Sequence, residues 1–209
     1  IILDEWHFHA EQDCQFPVLP DGCHDVIVAW DKGHPRWFIA DLADASYQAH
    51  IKAGAHMRGL RFRPGVAFDE VQLEKFMCGR DPVELFNGDS ALEFVLMADG
   101  ISEMLEAFSA GQGCIQQHAK QLGVSVRTMQ RTMKSATGCS PLFWIHLARV
   151  RKVARALKGN DGLSSIAAAH GYADQAHMTR DIKRWMGVTP EKFKADPHRM
   201  QAIQESGYG

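Results

Sequence analysis

The segment YADQAHMTRDIKRWMGVTP, residues 172–190, decides the reading of this chain. Met178, Ile182 and Trp185 stand at i, i+4 and i+7, which puts them on one face of a helix turned toward a core. His177, Arg180 and Arg184, with Lys183 beside them, fall on the other side, so the outward face is cationic. Gly187 supplies the residue type that ends a helix in the left-handed conformation, and Thr189-Pro190 supplies an N-cap followed by proline at the first position of a next helix. Asp174 stands where a cap for the cationic helix itself belongs.

Working back from this stretch, the chain repeats itself. A shift of 49 residues lays Met129 on Met178, Arg131 on Arg180, Lys134 on Lys183, Gly138 on Gly187 and Pro141 on Pro190. The first copy has Met129, Met133 and Ala136 as its inner stripe, and Arg127, Arg131 and Lys134 outside. In each copy a short helix (115–122; 163–170) meets a turn at Gly123 or Gly171 before the second helix begins. Short helix, tight turn and second helix are the parts of a helix-turn-helix, whose second helix enters the DNA major groove. Between the copies, PLFWIHLARVRKVARALKG, residues 141–159, keeps one amphipathic register and predicts a long helix tying the two units together. Arg149 on that helix is open to two readings, an ion pair within the domain or a phosphate contact.

Charge divides the chain in the same place. Residues 1–110 hold 8 Lys and Arg against 19 Asp and Glu, a net −11, whereas residues 111–209 hold 15 against 6, a net +9. A basic half joined to an acidic half predicts one part that binds a polyanion and one that avoids it. The small, Gly-rich run SAGQGC marks a boundary at 109–114, between a domain over 1–108 and a second over 115–209. In the first, short β-branched and aromatic stretches between 24 and 65, separated by Asp-Lys-Gly-His-Pro, Ala-Gly and Arg-Pro-Gly, predict strands and turns. From Val66 the period lengthens: Phe68, Val71 and Phe76, then Leu92, Val95, Leu96, Ile101, Met104, Leu105 and Phe108, predict helices. The fold class is therefore α+β, with a small β-rich unit and flanking helices ahead of an all-α domain.

Residues 113–195, from VSVRTMQRTMKSATGCSP through SSIAAAHGYADQAHMTRDIKRWMGVTPEKFK, resemble the double helix-turn-helix domain of AraC/XylS-type transcription regulators. Met178, Met133 and Ile182 stand where that family usually has Phe, which keeps the inner stripe apolar. The resemblance implies that Arg127, Thr128, Gln130 and Arg131 in the first recognition helix, and Gln175, His177 and Arg180 in the second, lie near base edges. Arginine can grip guanine and glutamine adenine through paired hydrogen bonds. Lys134, Lys183 and Arg184 are expected to hold phosphates and position the domain. Residues 15–105 are similar to the cupin-like regulatory domain that some of these regulators carry. The implied partners are double-stranded DNA at a promoter or operator, RNA polymerase, a small-molecule effector and a second copy of the chain in a homodimer; no cofactor and no membrane are implied.

A second reading attaches to Trp6-His7-Phe8-His9 with Glu11, which is similar to the start of a cupin metal site and would make the chain a metal-binding enzyme or metal sensor. The glycine before it and a correctly spaced acidic residue and later histidine are missing, and His24, His34, His50 and His56 are spread over several elements. A strand with histidines on one face, and no metal site, is the expectation. No Gly-x-Ser-x-Gly elbow, P-loop or GxGxxG turn occurs, so catalysis is not expected. Cys14, Cys23, Cys78, Cys114 and Cys139 form an odd set without CxxC pairing, suited to a reducing cytoplasm. The opening IILDEWHFHAEQ lacks the order of a signal peptide, and the expected location is cytoplasmic.

Overall fold

The computed structural model describes residues 1–31, 34–86, 90–111 and 113–209. Lys32 and Gly33 of the Asp-Lys-Gly-His-Pro turn and Gln112 of the 109–114 boundary lie outside the described residues. The N-terminal part is built from β1 (Ile2–His9), β2 (Cys14–Val18), β3 (His24–Asp31), β4 (His34–Ala40), β5 (Tyr47–Ile51) and β6 (His56–Phe62). These pair in nested antiparallel fashion, β1 with β6, β2 with β5 and β3 with β4, the arrangement of a hairpin folded over on itself as in a jelly roll. β3 also pairs with β6, giving a four-stranded sheet of order β1-β6-β3-β4 beside the β2-β5 ribbon. One sheet face, through Val26, Leu60 and Phe62, packs on Leu73 and Met77 of α1 (Glu70–Met77) and on Leu85 and Phe94 beyond it.

The expectation of helix from Val66 to Phe108 holds only in part. Phe68 lies in a two-residue strand, β7 (Ala67–Phe68), paired with β8 (Val95–Leu96). Helix α1 begins only after Asp69, whose side chain accepts from the Gln72 amide at 3.0 Å. Ser90–Phe94 is a 3-10 turn, in which buried Ala91 and Phe94 are three apart. That spacing mimics one face of an α-helix, and the β7-β8 pairing then ends the helical register. Val71 and Leu96, placed by periodicity on the inner stripe, are 60% and 54% exposed. Gly100, at φ +76°, restarts the chain into α2 (Ile101–Ala110).

The C-terminal part follows as α3 (Ile115–Gln121), α4 (Val126–Thr137), α5 (Pro141–Ala156), α6 (Leu163–Ala169), α7 (Gln175–Met186), α8 (Pro190–Ala195) and α9 (Pro197–Ala202). The charge reverses at 109–114, but packing does not divide there. Ile101, Met104, Leu105 and Phe108 of α2 are buried in the same apolar cluster as Met129, Trp144, Ile166 and Ile182. A helix carrying Glu103 and Glu106 on its wet side thus contributes its apolar side to the basic half's core.

The two parts are also joined by a polar seam. Arg61 of β6 grips Asp25 of β3 with two hydrogen bonds of 3.0 and 2.9 Å, lies 3.3 Å from Asp21 and donates to the Ser206 carbonyl at 3.2 Å. Arg151 of α5, only 1% exposed, donates to the Pro20 carbonyl at 3.0 Å and the Glu205 carbonyl at 3.4 Å. Tyr208 closes the seam: its amide donates to the Asp21 carbonyl and its hydroxyl to the Leu105 carbonyl, both at 2.8 Å. Removing one partner of a largely buried ion pair leaves its counterpart desolvated and uncompensated. Arg61→Ala is therefore expected to cost about 3 kcal/mol in urea unfolding, whereas Arg58→Ala, on the more exposed Glu5 pair, is expected to cost less than about 1 kcal/mol. Equal losses for the two variants would show that the seam does not hold the parts together.

Candidate nucleic-acid interface

Each recognition helix is built from the same local parts. Ser125 caps α4 by accepting from the Thr128 amide at 3.0 Å, and Asp174 caps α7 by accepting from the His177 amide at 2.6 Å. Ahead of them the two turns share one hydrogen-bond pattern. Gly123 donates to the Lys120 carbonyl and Val124 to the Ala119 carbonyl; Gly171 donates to the Ala168 carbonyl and Tyr172 to the Ala167 carbonyl. Both glycines have positive φ, 65° and 72°, which an L side chain adopts only with strain. α4 and α7 are each 12 residues long and end on Gly138 and Gly187 in the left-handed conformation.

The inner stripes lie where spacing put them. Met129, Met133, Met178 and Ile182 are fully buried, Trp185 nearly so, and Ala136 packs against the same cluster. Arg127, Gln130 and Arg131 are exposed on α4, and Arg180, Lys183 and Arg184 on α7. Among the described residues no hydrogen bond or ion pair engages the side chains of Arg127, Gln130, Arg131, Arg180 or Lys183, so these polar groups are available to an external partner.

The other expected contact residues already have structural work. Thr128 is half-buried and shares a 2.8 Å hydrogen bond with the Ser125 hydroxyl. Lys134 donates to the Gly138 carbonyl at 2.5 Å, closing the end of α4. Gln175 accepts from the Ser164 hydroxyl at 2.9 Å, tying α7 to α6. His177 is half-buried, edge-on to Tyr172 at 5.1 Å between ring centroids, and the Arg184 guanidinium lies 5.7 Å from the Trp185 ring.

Arg149 resolves as a structural residue. It lies 3.3 Å from Asp181 of α7 and 4.4 Å from the Tyr172 ring centroid, while the Tyr172 hydroxyl donates to the same carboxylate at 2.8 Å. The buried phenol and its acidic neighbour push the Tyr172 pKa well above its ordinary value, so it stays a donor. This triangle locks α7 to α5 and was half-visible in sequence, where Asp181 breaks the basic run of α7. Arg155 and Lys152, on the same helix, are likewise spent inward, on the Ile203 carbonyl at 3.1 Å and on the Ser109 carbonyl.

The acidic half touches one recognition helix, α7, at its far end, where α9 also reaches. The Ser46 amide donates to the Trp185 carbonyl at 2.8 Å, and Arg199 donates to the Met186 carbonyl at 2.6 Å. Sequence patterning carried no signal for the Ser46 contact because it depends on where the β4-β5 loop lands.

The histidines of the metal reading lie on β1 with protein neighbours of their own. Glu5, His7 and His9 share a strand face, but His7 pairs with Glu5 at 3.2 Å and His9 faces His56, while Glu11 lies outside the strand. Among the described residues no three His, Cys, Asp or Glu side chains converge in a way that could hold a metal. All five cysteines are free, and burial raises the Cys23 and Cys139 thiols above their ordinary range. No helix among the described residues is long and apolar enough to cross a membrane.

Two helix-turn-helix units on one connecting helix define a class of DNA-binding domain, and comparison with known proteins agrees. Residues 118–196 match the helix-turn-helix domain family. The transcriptional regulator RipA of Corynebacterium glutamicum is 32% identical over 96 residues, which is 46% of this chain and 29% of that protein. The transcriptional regulator VirS of Mycobacterium tuberculosis is 36% identical over 87 residues, 41% of this chain and 25% of that one. Among solved structures, ToxT of Vibrio cholerae aligns over 92% of this chain and 96% of its own at 11% identity and a TM-score of 0.48. Residues 118–196 form a helix-turn-helix domain, on the same segment whose sequence resembles the AraC/XylS-type regulators. The chain spans less than a third of the length of the curated regulators RipA and VirS, at 29% and 25%.

The helix ends provide a test. An added Cβ at Gly138 meets nothing within 4 Å, whereas at Gly187 it would lie 2.6 Å from the Ser46 hydroxyl oxygen. Gly138→Ala is expected to cost about 1 kcal/mol, from the left-handed backbone alone. Gly187→Ala is expected to cost clearly more in urea unfolding, because it also displaces the β4-β5 loop. A reversed order would contradict the loop contact.

Proposed function

We propose that this chain is a sequence-specific transcription regulator, with α4 and α7 as paired recognition helices under the control of the β-rich part. The observation that carries this reading is the repeated unit, in which capped helices of equal length each present unpaired Arg and Gln or Lys side chains outward. On B-DNA, successive major grooves on one face are about 34 Å apart, so the two helices read two blocks one turn apart. Arg131 and Arg180 are the leading base readers, with Arg127, Gln130, Gln175 and His177 beside them. Lys183, Arg184 and Lys134 hold phosphates, and Thr128 serves the α4 cap and the backbone together.

The names of RipA and VirS as transcriptional regulators support a regulator over an enzyme. In this reading the protein works in the cytoplasm at a promoter, contacts RNA polymerase, and answers a small-molecule effector or a second copy of itself through the β-rich part. A ligand shifts such a balance only by binding one arrangement more tightly than the other.

The test is selection of bound sequences from a random duplex library at near-physiological salt, with the full chain and the Arg131→Ala/Arg180→Ala double variant in parallel. Enrichment of a two-block motif, lost in the variant, is expected; no enrichment by the full chain with or without the double change would contradict the reading. On the selected duplex, Arg131→Ala and Arg180→Ala are each expected to cost about 1 to 3 kcal/mol and to relax specificity at one position. Lys183→Ala is expected to weaken all duplexes alike and to reduce the salt slope by about one. Equal effects of all three on every sequence would overturn the division of roles.

A further inference from the structure

The two helix-turn-helix units are separated by a cleft of about 550 Å³ that the DNA-reading surface leaves unused. Its walls come from three places: the α2-α3 junction with Phe108 and Ile115, the row Leu142, Ile145 and Ala148 on α5, and the α6-α7 turn at His170 and Gly171. The volume falls within the roughly 300 to 1,000 Å³ of small-molecule sites. The floor is apolar, and Leu142 leaves 50% of its surface to solvent at the cleft, an exposure shared by few large apolar side chains in this chain.

The ionisable side chains that line the floor are basic, with the Asp181 carboxylate behind Arg149 at 3.3 Å. His146, Arg149, Lys152 and His170 line the cleft, and among the described residues no Asp or Glu does. Lys152 spends one of its three N–H groups on the Ser109 carbonyl, and the buried Nε of Arg149 has no hydrogen-bond partner. Burial lowers the pKa of both His146 and His170, and Arg149 is paired with Asp181, which leaves Lys152, bonded to a carbonyl and to no carboxylate among the described residues, as the leading partner for an anion. Apolar walls with a few convergent cationic donors suit a molecule with an apolar body and one anionic end.

We propose that this cleft binds a small amphipathic anion, an apolar body with a carboxylate or phosphate-ester head, seated on Leu142 and Ile145 with its head toward Lys152 and Arg149. DNA phosphates are the competing occupant. The observations favour the small molecule, because Arg149 and Lys152 are drawn inward onto Asp181 and Ser109 rather than extended from the surface. A ligand there touches both helix-turn-helix units and the α2-α3 junction at once, so it stabilises one arrangement of all three by mass action. The site stands independently of whether the recognition helices read sequence.

The experiment is calorimetric titration of the full chain near 0.15 M salt with three probes that share one body: 2-naphthoate, 2-naphthyl phosphate and uncharged 2-naphthamide. One-to-one binding of at least one anion is expected, with the amide about tenfold weaker or worse. Leu142→Glu, at an exposed position, and Lys152→Gln are each expected to weaken the anion about tenfold or more, with Lys158→Gln, on exposed surface outside the cleft, unchanged. Unchanged thermal midpoints of the apo variants exclude misfolding as the cause. No saturable binding of either anion, equal affinity for the amide, or full retention of binding by both cleft variants would overturn the proposal. Loss of duplex affinity in both cleft variants, with no naphthyl anion bound by the full chain, would assign the cleft to DNA phosphates instead.

Discussion

Burial of the connecting helix α5 is the constraint on which the rest of the structure depends. Trp144, Leu147, Val150 and Val153 are fully buried, and Ala148, Arg151 and Ala154 nearly so, which leaves this helix little solvent-facing surface. Removing four large side chains of this kind from water is worth several kcal/mol, at about 1.5 to 3 kcal/mol each as an upper estimate. Because α5 is the common partner of α2, α4, α6 and α7, it fixes the two units relative to each other. Its first turn is held by Ser140, which accepts from the Phe143 amide at 3.3 Å, and by Pro141 at the first helical position. Its C-terminal half is held by arginines that reach backbone carbonyls of neighbouring segments.

The distribution of charge follows from the same arrangement. Basic residues on α5 are consumed internally, by Asp181, by Ser109 and by the carbonyls of the C-terminal tail, whereas those on α4 and α7 are mostly left outward. The acidic part docks through a seam in which Arg61 offsets Asp21 and Asp25 and Arg151 meets two carbonyls. Two hydrogen bonds, from Ser46 and Arg199, end on the last carbonyls of α7. A change in the β-rich part therefore has a short physical path to the second recognition helix, through the Trp185 carbonyl, which must find another donor if the Ser46 loop withdraws.

The helical half was legible in the sequence because its signals are local. A 3.6-residue stripe of Met129, Met133, Met178, Ile182 and Trp185, a cap at Asp174 and a Gly-x-Ser/Thr-Pro stop each carry their meaning within one or two turns. Between Phe68 and Leu96 the expected helix forms only as α1, because a 3-10 turn and an α-helix both place apolar residues three apart, and the β7-β8 pairs join residues 27 and 29 positions apart. Arg149 could not be assigned from spacing, since its partner Asp181 lies 32 positions away. The same limit hid the seam: Arg61 and Ser206 are 145 residues apart, and nothing in the neighbourhood of either announces the other. The place of α2 was obscured for a different reason, because its acidic outer face set the charge of the segment while its apolar face set the packing.

The central claim is that two equivalent units are held at a fixed separation by one rigid, buried helix. The direct measurement is the affinity of the full chain for its selected duplex after inserting base pairs between the two blocks. Half a helical turn, about 5 base pairs, moves the second block to the opposite face of the DNA. A rigid connection predicts that this insertion reduces affinity to that of a duplex with one block destroyed. Undiminished binding to the half-turn insertion would show that the units move independently and would contradict the account.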